Sequence, residues 1–310
     1  MLKRLGLSSV LLLSVAALPA WAQVTIEWKF KEGDTFYLQT VTNSKQKMKA
    51  LSKDMNLDME QTLLLGFKVE KKESDGSLVL KETVEGLMIK SASGTGQADE
   101  KIQGATFTIT FNPKMEITKF EGYDAFIKRL TSGNDEDEKK IRAIISDETM
   151  KQSAKLAFTA YLPDRPGIKA GDIWNPKPVE MPLGPLGTIE VSNSYKYDGK
   201  GKLGDKEYDK ISFISGVKYR LPKEETNQPY QVTKGELKVD KDKTKGVIYF
   251  DTAEGHLVEM EATMPLRGDL TLSSLGQPVE AHMEQEQTIK VTFSKTNPKA
   301  AVKPGEPSKP

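Results

Sequence analysis

The chain has 310 residues, 45 basic against 44 acidic side chains, two His and no Cys. The missing thiols exclude a disulfide scaffold, thiol catalysis, iron–sulfur ligation and cysteine-based zinc sites, and two His leave little for acid–base or metal chemistry. A balanced surface offers no long-range field to draw nucleic acid or an anionic membrane, so no nucleic-acid partner is expected.

Residues 1–22 read as a cleaved signal peptide. Lys3 and Arg4 precede an apolar run from Leu5 to Leu18, and Ala20-Trp21-Ala22 places small residues at the −3 and −1 positions of a cut after Ala22. No Cys follows to carry a lipid anchor, and no later stretch approaches the roughly 18 apolar residues that span a bilayer. A periplasmic or secreted protein is expected, not membrane-spanning after cleavage, with 43 basic against 44 acidic groups left.

Residues 23–120 form a first β-rich half. Lys31-Glu32-Gly33-Asp34-Thr35-Phe36 is a turn in which Gly supplies φ > 0, Asp can bond the backbone and the aromatic opens a strand. Ser74-Asp75-Gly76 marks a hairpin. Phe107, Ile109 and Phe111 alternate with Thr106, Thr108 and Thr110, so that one face packs while the other meets water. Between these lies a Gly-, Ser- and Ala-rich loop, Ser91 to Gly104.

Residues 121–167 switch to helical periodicity. A short pattern runs from Tyr123 to Leu130. The acidic run Asp135-Glu136-Asp137-Glu138 suits the positive end of a helix dipole ahead of Ile141, Ile144 and Ile145. Met150, Ala154, Ala157, Phe158 and Tyr161 form one amphipathic face, which Pro163 and Pro166-Gly167 bring to an end. This face reads either as a lid over a lipid pocket or as a helix packed on a sheet.

A second β-rich half covers 168–295. It opens on Lys169-Ala170-Gly171-Asp172-Ile173-Trp174 and includes an apolar, turn-rich loop, Met181 to Gly187. Ile211, Phe213, Val217 and Tyr219 share a face, as do Val258, Met260, Ala262 and Met264, and then Gln287, Ile289, Val291 and Phe293. The Lys-rich piece 238–245, interrupted by Asp240 and Asp242, reads as a solvated hairpin turn. Residues 296–310, with four Pro from Asn297 onward, read as a disordered polyproline-like tail.

The two halves resemble each other. Lys31 to Phe36 matches Lys169 to Trp174 at an offset of 138, and Thr110-Phe111-Asn112 with Ile117 to Glu121 matches Tyr249-Phe250-Asp251 with Leu257 to Glu261 at 139 and 140. An internal duplication accounts for both. The expected fold is mainly β (α+β): two curved antiparallel sheets or partial barrels of about five or six strands each, with the central helices packed on a concave face.

Catalytic signatures are missing. His256 and His282 lack H-x-E or H-E-x-x-H spacing, no G-x-S-x-G occurs, and Gly94-Thr95-Gly96 has neither a third Gly nor a following helix. Asp240-x-Asp242-x-Thr244 imitates the start of a calcium loop but has Lys245 where Gly belongs. No catalytic residue, metal or cofactor is expected, and only a pair of facing carboxylates would change that. Trp174, Phe213, Tyr219, Met260, Met264 and Phe293 are the candidates to line an apolar pocket, Met adapting well to irregular chains. The other reading of these six is ordinary core.

With Gly33-Asp34-Thr35-Phe36, Phe111-Asn112-Pro113 before Ile117, helices ending at Phe158 to Pro163, and Gly171-Asp172-Ile173-Trp174, the chain resembles an uncharacterised family of exported bacterial β-rich proteins, a domain of unknown function. That resemblance brings no activity or site residues with it. The expected function is an exported, non-enzymatic binding protein holding an apolar or lipid-like ligand between sheet and helices. The alternative is an envelope protein–protein interaction module acting through sheet edges or the 181–187 loop.

Overall fold

The computed structural model describes residues 23–50, 53–91, 94–97, 101–182, 186–222, 230–240, 243–274 and 277–301. The expected signal peptide and the end of the expected tail lie outside these residues, as do parts of the loops 91–104 and 181–187.

Two equivalent turns set the strand entries. The Asp34 carboxylate accepts from Lys31 N at 2.8 Å while Gly33, at φ 86°, donates its N–H to Val69 O. Asp172 accepts from Lys169 N at 3.0 Å while Gly171, at φ 93°, donates to Tyr197 O. Asn112 and Asp251 each cap a later turn by accepting two backbone N–H groups.

In the first half the strands are β1 (Thr35–Ala50), β2 (Lys53–Lys72), β3 (Leu78–Ser91), β4 (Gly94–Gln97), β5 (Thr106–Phe111) and β6 (Ile117–Glu121). The second half holds β7 (Ile173–Trp174), β8 (Val179–Pro182), β9 (Thr188–Leu203), β10 (Lys206–Arg220), β11 (Tyr230–Val239), β12 (Lys245–Asp251), β13 (His256–Ser274) and β14 (Gln277–Ser294). All pair antiparallel in one 14-stranded sheet, ordered β6-β5-β3-β2-β1-β14-β13-β12-β10-β9-β7, with β4 beside β3, β8 beside β9 and β11 beside β13.

The mainly-β class with central helices holds, but the two expected sheets are joined into one. β1 and β14 pair from Tyr37↔Ser294 to Ala50↔Ala281, and this satisfies two long ladders that would otherwise be exposed edges. On either side of β14 the order repeats: β6-β5-β3-β2-β1 on one flank and β13-β12-β10-β9-β7 on the other.

One turn departs from the expectation. β11 and β12 do not pair with each other; both run antiparallel to β13, so 238–245 interrupts one strand path and is not a hairpin. At this break buried Thr244 donates both its N–H and its hydroxyl to Asp240 O.

Helices α1 (Tyr123–Thr131), α2 (Asp135–Ile144) and α3 (Asp147–Phe158) lie between the halves. Asn134 and Ser146 cap α2 and α3 by accepting from Asp137 N and Thr149 N. Phe158, at the end of α3, inserts edge-on against Phe36, Phe67 and Phe111. Phe126 and Ile127 of α1 pack on Phe107 and Val84.

The remaining cover is the segment 24–31, which carries Ile26, Trp28 and Phe30 into the core. Trp28 lies within 6.4 Å, centroid to centroid, of Phe30, Phe36, Phe158, Phe250 and Phe293, and its indole N–H donates to Phe158 O at 2.8 Å. Rings from both halves and from α3 therefore meet at one side chain. Asp209, fully buried, adds a polar tie by accepting from Tyr197, Lys200 and Thr252.

The tail also differs from the expectation in its first part. Pro298–Ala301 forms a helical turn (α4), and Lys299 Nζ donates to Glu85 O at 2.6 Å. Gly86 makes room for it, since a Cβ there would fall 2.2 Å from Lys299 Nζ.

Replacing Trp28 by Ala is expected to cost about 3–5 kcal/mol, the range for deleting a buried Trp or Phe ring. Urea unfolding of the two proteins measures it, and a loss below about 1 kcal/mol would contradict the central role given to this ring.

Candidate functional site

Residues directly opposite on neighbouring strands share a face, so the registers define what the sheet presents. Call inner the face that carries the core. Its rows run Leu87–Leu63–Thr40–Val291–Met260 and Ile89–Gln61–Thr42–Ile289–Ala262, then, farther from Trp28, Met59–Ser44–Gln287–Met264, Leu57–Gln46–Gln285–Leu266 and Met55–Met48–Met283. The aromatic core occupies only the end near Trp28.

Beyond that core, among the described residues, the inner face is exposed along β2, while Ser44 beside it and Leu237 farther across the sheet are buried. Met55, Leu57 and Met59 alternate along one face of β2 with 37%, 51% and 37% of their surface exposed. Exposed large apolar side chains grouped on one face of a strand are the kind of surface that marks interaction sites. A narrow polar lane crosses it: Gln285 Nε2 donates to Ser44 Oγ at 3.0 Å, and Gln46 Nε2 donates to Met283 Sδ at 3.1 Å.

The outer face of the same strands is charged. Lys45 sits opposite Asp58 and Glu286, Lys47 opposite Asn56 and Glu284, and Lys49 opposite Asp54 and His282. His282 Nδ1 lies 2.7 Å from Asp269 Oδ1, and that bond raises the imidazole above its ordinary value. Such exposed pairs contribute little to stability; they make the outer face the wet one.

The structure places the six residues expected to line a pocket mostly in packed surroundings. Trp174 stacks on Tyr195 at 5.7 Å, and Tyr195 contacts Phe213 at 5.2 Å. Phe213 covers Gly246, where a Cβ would meet its ring at 2.2 Å. Phe293 stacks on His256 at 4.0 Å and reaches Trp28 and Phe36. Met260 packs on the same core, and Tyr219 donates to Leu186 O at 2.6 Å. Met264 alone of the six stands level with the open rows, beside Gln287. Strand alternation marked the face correctly but could not tell where along it the cover ends.

Two buried polar atoms, Trp174 Nε1 and Tyr161 Oη, have no hydrogen-bond partner among the described residues. Groups of this kind ordinarily meet ordered water. Among the described residues no group of three or more His, Asp or Glu is placed to hold a metal ion.

Glu82 carries no sequence signal, yet it is the most perturbed carboxyl with a defined setting. It lies between Phe67 and Phe107 in one inner row, near where the helices meet the sheet. Part of its surface still reaches solvent, but crowding by apolar neighbours pushes its carboxyl up to about 7.

Comparison with protein family models and with curated proteins finds no match. Among solved structures the chain is similar to an outer membrane channel from Pseudomonas putida F1, at 7% identity and TM-score 0.23, over 87% of this chain and 98% of the channel. It is also similar to DynF from the dynemicin biosynthesis pathway of Micromonospora chersina, at 9% identity and TM-score 0.17, over 91% of both chains. A third is a DUF1329 family protein from Desulfovibrio piger, at 8% identity and TM-score 0.13, over 84% of both. Superpositions this loose carry no functional argument, which rests on the geometry above.

Because the folded state raises the Glu82 carboxyl from 4.5 to about 7, its contribution is complete below the lower value and is lost as pH rises through the upper one. Glu82→Gln mimics the protonated form. Its stabilising effect should grow between pH ~4.5 and ~7 and level off above. Paired thermal unfolding curves across that range test this, and a pH-independent difference would contradict it.

Proposed function

We propose that this protein is an exported, non-enzymatic binding protein that holds an apolar or lipid-like ligand on the inner face of its sheet. The observation that carries this is the open run Met55, Leu57 and Met59 on β2, facing the same side as Leu63, Leu87, Ile89 and Met264. Export rests on the signal-like segment ending at Ala22, and a location in the bacterial envelope follows from it.

The site proposed here lies farther along the strands than five of the six positions read from sequence, and only Met264 stands level with it. Trp174, Phe213 and Phe293 support its base and are not its lining. An acyl chain lying over Met55, Leu57 and Met59 would shield apolar surface at roughly 25 cal/mol per Å2. The polar lane through Ser44, Gln46 and Gln285 would meet a headgroup or carbonyl.

A second reading is an interaction with another envelope protein. Leu186 and Leu221, 41% and 40% exposed, flank the turn where Tyr219 holds Leu186 O, at the described end of the 181–187 loop. An apolar partner could seat there, away from the β2 face.

Native mass spectrometry after incubation with a long-chain fatty acid tests the first reading. The wild-type chain should retain the lipid, and Leu57→Asp should weaken retention about tenfold or more, because an unpaired carboxylate under an acyl chain costs well over the ~1.4 kcal/mol of one decade. Thermal stability should stay nearly unchanged, since Leu57 is exposed. Wild-type protein that retains no lipid would overturn the reading.

A further inference from the structure

Three thioethers stand side by side on the inner face beyond the aromatic core. Met48 on β1 lies directly opposite Met55 on β2 and directly opposite Met283 on β14, so three successive strands present Met at one level of one face. Neighbouring strands are about 4.8 Å apart, and a Met side chain has three rotatable bonds with which to close that gap. The middle sulfur is therefore within reach of both its neighbours.

These sulfurs have lone pairs to offer, with half-buried Met48 and Met283 beside exposed Met55. Met55 is 37% exposed, and Met283 Sδ accepts from Gln46 Nε2 at 3.1 Å, so at least one thioether already acts as an acceptor toward the polar lane. Neutral sulfur donors select soft ions: they bind Cu(I) well and are poor ligands for magnesium, calcium or manganese, which prefer oxygen. No Cys in the chain competes for such an ion. The one imidazole nearby, His282, alternates to the outer face and is engaged by Asp269.

We propose that Met48, Met55 and Met283 form a site for a single soft monovalent cation, Cu(I) or its analogue Ag(I), bound through three thioether sulfurs. The ion enters and leaves as the monovalent species, with no electron or proton transferred. Gln46 then acts as a positioning residue, releasing Met283 Sδ when the ion arrives.

The test uses the full mature chain, silver nitrate in chloride-free buffer, native mass spectrometry and NMR of the methionine methyl groups. One silver ion per chain should be retained, with shifts confined to the methyls of Met48, Met55 and Met283. Met48→Leu keeps the volume and apolar character of the row, so it should leave fatty-acid retention and the melting temperature unchanged while weakening silver binding about tenfold or more. The proposal is overturned if no silver is retained, if the perturbed methyls belong to other methionines, or if Met48→Leu binds silver as the wild type does. Because the Leu variant keeps the apolar floor, a failed metal site and a failed lipid site give different results.

Discussion

Trp28 and the rings around it fix where this molecule is solid. Five aromatic side chains from the entry segment, both halves of the sheet and α3 converge on it, and its N–H is spent on the last carbonyl of α3. Among the described residues, the helices and the entry segment that cover the inner face gather at that end. The strands, however, run 16, 20, 19 and 18 residues in β1, β2, β13 and β14, much longer than the core they cross. At about 3.4 Å per residue they extend tens of ångströms past the last packed ring. The exposed apolar run on β2 is the geometric result of long strands with a short plug.

The two faces of that extension are chemically separate. One is lined by Met and Leu with a thin lane of Ser and Gln; the other alternates Lys with Asp and Glu. Period-2 alternation makes such a division automatic, and a one-residue slip in any strand would exchange the two. The bulges between Leu64 and Leu65 and between Tyr249 and Phe250 therefore matter more than their size suggests. They reset which residues face the core midway along a strand, and so keep Leu87 and Met260 on the same side as the aromatic cluster.

Much of this was legible in the sequence, and the exceptions have physical causes. Alternation at Phe107, Ile109 and Phe111 and helical spacing from Met150 to Phe158 are local patterns that survive in the fold because each buries its own stripe. Gly33-Asp34 and Gly171-Asp172 were readable as turns because only a few residue types favour that geometry. The joining of the halves was not readable, since nothing near residue 40 refers to residue 290. Nor was the Met row: Met48, Met55 and Met283 are unremarkable in sequence and become neighbours only through register. Glu82 was invisible for the same reason, because its setting is made by Phe67 and Phe107 on other strands. The hairpin read at 238–245 failed because turn-forming residues report a bend and not the direction the chain takes after it.

The seam between β1 and β14 has a consequence in time. Ser44 and Gln285, hydrogen-bonded across it, are 241 residues apart in the chain. Contacts of such sequence separation form late and slowly, because the entropy of closing the loop is lost before any pairing offsets it. Synthesis from the N-terminus completes β1 long before β14 follows. Until the last strand arrives, the first long strand lacks its central neighbour. The order of synthesis thus leaves a window in which this edge is open to whatever else can pair with it, and the native sheet forms only once β14 is present.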